Sequence, residues 1–243
     1  MIGVGINENV VIASAVINDK KRLVITLEEA GTKKKSLFDE ALTAGVQADS
    51  SSMSLNLFGP MIPKKTEMTD AKKSDMMHED IKKLRNQLTQ MCEQFMLSAD
   101  CDLATFDVQF AGTGITSENY SERLLDQDCL NRIYDNLSRR FVELIKPFTN
   151  NSEFAVRFKL VRQSADKHFA TIPGRYILEN PFIELMAVPK ENSRVKFTDY
   201  EVAQKLNDGT PSSAATAEKK ETGTAAGSTA AQNALPANPF AAQ

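Results

Sequence analysis

The chain has little of what most enzymes rely on. Its two histidines, His78 and His168, lie far apart, and neither has a partner at metal-ligand spacing. No Ser/His/Asp or Cys/His arrangement can be assembled around them. Cysteine is equally scarce. Cys92, Cys101 and Cys129 are odd in number and show no metal-binding pattern, so they read as reduced, small core residues of an intracellular protein. A phosphate-cradling glycine loop is also missing. Gly3-Val4-Gly5 lacks a third glycine and a following helix, and Gly112-Thr113-Gly114 lacks the P-loop lysine. These gaps point away from catalysis and from any cofactor. No run of about 18 apolar residues is present, which predicts no membrane-spanning helix. Met1-Ile2-Gly3-Val4 has no basic segment before an apolar stretch, so the expected location is the cytoplasm.

Positive charge is not in excess either. Lys and Arg number 29 against 32 Asp and Glu, giving a net charge of −3 and a pI near 5.6. Bulk charge therefore does not favour coating duplex DNA, and a nucleic-acid site must be a local patch on an acidic body. A hydrophobic content of 42% suffices for a substantial core.

The apolar pattern predicts short strands and two long helices. Val10 to Ile17 is a β-branched apolar run, and Asn18-Asp19-Lys20-Lys21 has turn chemistry. From Arg22 to Glu28 the chain alternates, with Leu23, Ile25 and Leu27 on one face, which completes a hairpin. A further strand carries Met53, Leu55 and Leu57 and closes at Gly59-Pro60. A helix capped by Ser74 or Asp75 has the stripe Met77, Ile81, Leu84, Leu88, Met91 and Phe95. Thr105 to Phe110 alternates as a strand would. A second helix, from about Asn119 to Lys146, carries Leu130, Ile133, Leu137, Phe141, Leu144 and Phe148, and Pro147 ends it. Pro181 to Pro189 reads as a proline-bounded strand, and Phe197 to Leu206 as a short helix or turn. The strands are mostly not separated by helices, which favours α+β with an antiparallel sheet. The body spans residues 1–206. Residues 207–243 are rich in Ala, Ser, Thr and Gly, and they read as a disordered tail.

The sharpest chemical suggestion lies between residues 154 and 176. Arg157, Lys159, Arg162, Lys167 and Arg175 are interleaved there with Phe154, Phe158, Phe169 and Tyr176. Asp166 alone offsets the charge, so the segment is locally +4. On a strand, Phe154, Val156, Phe158 and Leu160 share one face, best read as core, and Arg157, Lys159, Val161 and Gln163 share the other. Cations for phosphates and rings for bases are what an unpaired polynucleotide requires. The predicted phosphate contacts are Arg157, Lys159, Arg162, Lys167 and Arg175, with His168 beside them. Phe169 and Tyr176 are the predicted stacking residues. Lys33, Lys34 and Lys35 would extend the phosphate track through sequence-blind, salt-sensitive contacts.

The N-terminal hairpin, the intervening helix, the later basic aromatic strand pair and a tail with a near-terminal Pro-Phe together resemble the phage-encoded single-stranded DNA-binding proteins built on an OB-fold. The segments Arg157–Pro173 and Asn180–Met186 carry the resemblance. It implies an antiparallel OB-like β-barrel, with the two long helices as insertions and a concave face that holds single strands. It also implies non-enzymatic, sequence-nonspecific binding in DNA replication or recombination, in the host cytoplasm. The tail, through Pro239 and Phe240, would recruit replication proteins. In this chain the tail is nearly neutral and Phe240 is followed by Ala241-Ala242-Gln243, whereas family tails are usually acidic and end on the aromatic. Two other readings stand beside this one. The protein could be a phage structural or assembly protein acting through its amphipathic helices, or an adaptor using Asn238-Pro239-Phe240 as a peptide ligand.

Overall fold

The computed structural model describes residues 2–30, 52–65, 67–164, 167–173 and 180–198; within these, the side chains of 162–164 and 167–170 are not described. Lys33–Lys35, Arg175, Tyr176, the helix or turn expected beyond Thr198, and the tail with Pro239 and Phe240 all fall outside the described residues.

Three strands come first: β1 (Gly5–Ile17), β2 (Leu23–Glu29) and β3 (Ser52–Leu57). A helical block follows, comprising α1 (Asp70–Cys92), α2 (Phe106–Phe110), α3 (Tyr120–Arg123) and α4 (Gln127–Ile145). The chain then returns to the sheet with β4 (Val156–Ser164), β5 (Lys167–Thr171) and β6 (Ile183–Leu185). The strand order is β3-β2-β1-β4-β5, and every pairing is antiparallel. β6 also pairs with β4, beside its first half, whereas β5 pairs with its second half. The fold is thus α+β with an antiparallel sheet, as the order of elements predicts. The expected barrel is not formed: among the described residues the sheet is open, because β3 and β5 do not meet.

Alternation decides which face of the sheet is covered. Leu23, Ile25, Leu27, Leu55 and Leu57 are buried, while Ser52, Ser54 and Asn56 on the opposite face are exposed. The helical stripes meet this inner face. Met77, Ile81, Leu84, Leu88 and Met91 of α1, and Leu130, Ile133, Leu137 and Phe141 of α4, join one core with the strand leucines and isoleucines. Phe95 continues the α1 stripe just past the helix end, where it stacks on Phe148 and meets Phe154 edge-on. The three cysteines are free and buried.

Three elements differ from the sequence expectation. The stretch expected as one helix from about Asn119 is split into α3 and α4, because Asp126 leaves the helical conformation and caps α4 by accepting from the Asp128 and Cys129 N–H groups. Thr69 caps α1, its hydroxyl accepting from the Lys72 N–H, so the helix begins a turn earlier than Ser74. Thr105 to Phe110 is not a strand; Phe106–Phe110 is a helical turn. The two rings are four residues apart, which places them on one helix face, with centroids 4.9 Å apart. Five alternating residues are too few to fix the period.

Tyr134 ties the helical layer to the sheet. Leu23 and Leu57 face each other at the end of the β2–β3 ladder. The Tyr134 hydroxyl sits between them, accepting from Leu23 N at 2.6 Å and donating to the Leu57 carbonyl at 2.7 Å. Gly59 permits this approach, since a Cβ there would lie 3.0 Å from Tyr134 Cγ. Tyr134→Phe should cost about 1–3 kcal/mol in urea unfolding, because it strands two buried backbone groups. A change under about 0.5 kcal/mol would mean that the two groups find each other directly.

Candidate nucleic-acid interface

β4 is the strand that carries the basic aromatic segment. Its inner face behaves as core: Val156, Phe158 and Leu160 are fully buried, and the Phe158 ring packs on Phe182 at 5.5 Å. The outer face does not behave as predicted. Arg157 is 3% exposed and Lys159 is 1% exposed. Residues 180–197, which include β6, cover them.

Arg157 faces Glu184 directly across the β4–β6 pair. Its Nη1 donates to Glu184 Oε2 at 3.0 Å, and both Nη atoms reach the Val188 carbonyl at 3.4–3.5 Å. Glu184 Oε1 accepts from the Arg194 N–H, and Glu8 Oε1 lies 3.6 Å from Arg157 Nε. Lys190 holds Glu8 from the solvent side at 3.1 Å and, with Arg157, keeps its carboxyl below the ordinary range. Lys159 Nζ donates to Asn180 Oδ1 at 3.2 Å and to the Lys196 carbonyl at 2.7 Å. A buried cation so bonded holds the fold together and is closed to phosphate. Arg157 and Lys159 therefore leave the predicted site. The sequence held one signal of this. Glu184 stands inside the apolar run Phe182-Ile183-Glu184-Leu185, and an acid in a buried strand needs a cation opposite.

The rest of the basic segment lies farther along. β1 pairs with β4 only as far as Gly5↔Leu160. From Val161 on, β5 is the one strand paired with β4 among the described residues, with Val161↔Thr171, Arg162↔Ala170 and Ser164↔Lys167 in register. Arg162, Lys167, His168 and Phe169 thus share one two-stranded arm. Two glutamines of α1, one turn apart, fix what comes after it. Gln87 Nε2 donates to the Pro173 carbonyl at 2.9 Å, and Gln90 Oε1 accepts from Phe182 N at 3.0 Å. Arg175 and Tyr176 lie in the chain between these two anchors.

His78 belongs to a helix-packing contact. His78 is half-buried rather than fully solvated, with Nδ1 2.7 Å from the Tyr120 hydroxyl. Desolvation lowers the His78 pKa and raises that of Tyr120 to about 12. Neutral imidazole and neutral phenol suit a hydrogen bond between two packed helices.

A cation–ring pair lies outside the basic aromatic segment. Arg22 Cζ sits 4.9 Å from the centroid of Phe58, and both residues are exposed. The phase of β3 could have revealed it: Leu55 and Leu57 point inward, so Phe58 falls on the outer side.

No protein-family model matches this chain, and neither the curated proteins nor the solved structures contain a match.

Proposed function

We propose that this protein binds single-stranded DNA without sequence preference, in phage replication or recombination. The observation that supports the reading best is the β4–β5 arm. It continues past the last β1 pairing, and its sequence holds Arg162, Lys167, His168 and Phe169. Arg175 and Tyr176 follow within a few residues. The phosphate contacts are now Arg162, Lys167 and Arg175, with Lys33–Lys35 as an extension; Phe169 and Tyr176 stack bases. Pro239 and Phe240 of the tail serve as the contact for replication proteins, so removing residues 207–243 leaves DNA binding intact.

Fluorescence anisotropy with single-stranded and duplex oligonucleotides at two salt concentrations tests this. The single strand should bind preferentially, and affinity should fall steeply as salt rises. Exchanging Lys167 for Gln should weaken all sequences alike and reduce the salt slope by about 1. Self-association of the protein with no oligonucleotide binding at either salt would favour the assembly reading instead.

A further inference from the structure

We infer that the β1–β2 turn and the end of β3 form a second contact for unpaired polynucleotide, centred on Arg22 and Phe58. This rests on the reading that the protein binds single strands. Leu23 and Leu57 face each other with both side chains in the core. The residues just beyond them, Arg22 and Phe58, fall on the outer side, where the guanidinium lies over the ring. Phe58 is 56% exposed, whereas the outward residues of β3 that precede it are Ser52, Ser54 and Asn56.

The backbone of the turn that carries these cations is fixed by its own hydrogen bonds. Asn18 Oδ1 accepts from both Lys20 N and Arg22 N at 3.0 Å, and Asn18 N donates to the Arg22 carbonyl at 3.0 Å. Lys21 adopts φ 55° to complete the turn. Lys20, Lys21 and Arg22 are all exposed, and Asp19 is the lone acid among them. Arg22 makes no ion pair among the described residues, and its guanidinium lies over the Phe58 ring. A guanidinium over an aromatic face offers a base two flat surfaces, and the two lysines beside it offer phosphate contacts. Charge and shape together select a polyanion with exposed bases.

Position adds a quantitative consequence. Ile17 at one end of β1 pairs with Leu23, and Gly5 at the other end pairs with Leu160 beside the arm. The strand is 13 residues long, so the two contacts lie roughly 40 Å apart along it. A strand long enough to touch both gains by effective concentration.

Anisotropy titrations with oligothymidylates of increasing length test this on the full chain. Affinity should step up once the oligonucleotide spans both contacts. Phe58→Ala should remove that step and weaken long-oligomer binding about 5- to 150-fold, while Phe58→Trp should preserve it. Arg22→Gln, at an exposed position, provides a second variant should Phe58→Ala unfold; it should shrink the same step. If the wild type binds and both variants match it at every length, the second contact is disproved and the arm stands alone. If the wild type binds no single strand at all, the parent reading falls and this one with it.

Discussion

Arg157→Ala is expected to destabilise the protein by about 3–5 kcal/mol, because it leaves Glu184 charged and buried without its cation. Glu184 is 4% exposed and opposes Arg157 across the β4–β6 pair, so water cannot replace the lost partner readily. The companion variant Arg157→Met with Glu184→Leu separates this from mere loss of contact. It removes both charges together, and such replacements are often neutral or stabilising by about 1–4 kcal/mol. Chemical denaturation of the single and double variants measures both. An Arg157→Ala variant within about 0.5 kcal/mol of the parent would show that the pair is not formed. The folded fraction of either variant should bind oligonucleotide as the parent does, which distinguishes this residue from Arg162 and Lys167.

Phe141→Ala should cost a similar amount, about 3–5 kcal/mol, by a different mechanism. Phe141 is fully buried in the α4 stripe, where the helical layer meets the sheet. Removing its ring opens a cavity that close-packed neighbours fill only in part. Phe106→Ala is the control. That ring is 43% exposed, so its loss should stay under about 1 kcal/mol. Equal losses in the two variants would contradict the division between core and surface described above.

Much of the fold was legible because its signals are local. Alternation in Arg22–Glu28, the Asn18–Lys21 turn and the two helical stripes each follow from neighbours within one element. Burial of Leu23, Ile25, Leu27, Ile81, Leu88, Leu130 and Phe141 agrees with those patterns. The environment of Arg157 and Lys159 was not legible in the same way. Their partners, Glu184, Asn180 and Lys196, come from 21 to 37 residues downstream and meet β4 only when β6 docks. An alternating strand announces that its second face differs from its first, but not whether solvent or another strand will cover it. Arg22 and Phe58 escaped notice for the same reason, since register across two strands brings them together. Barrel closure is likewise a property of edges that a single strand does not encode.

The paired glutamines of α1 have a consequence for how this chain can change over time. Gln87 and Gln90 grip the polypeptide at Pro173 and again at Phe182, so the stretch between is stapled at both ends to one rigid rod. Each grip closes on a backbone atom, the Pro173 carbonyl or the Phe182 N–H, so it does not read the side chains at those two places. Because one helix holds both ends, the two glutamines are bound to each other in any drift of the sequence: losing either one frees the exit of the β4–β5 arm from the entry into β6.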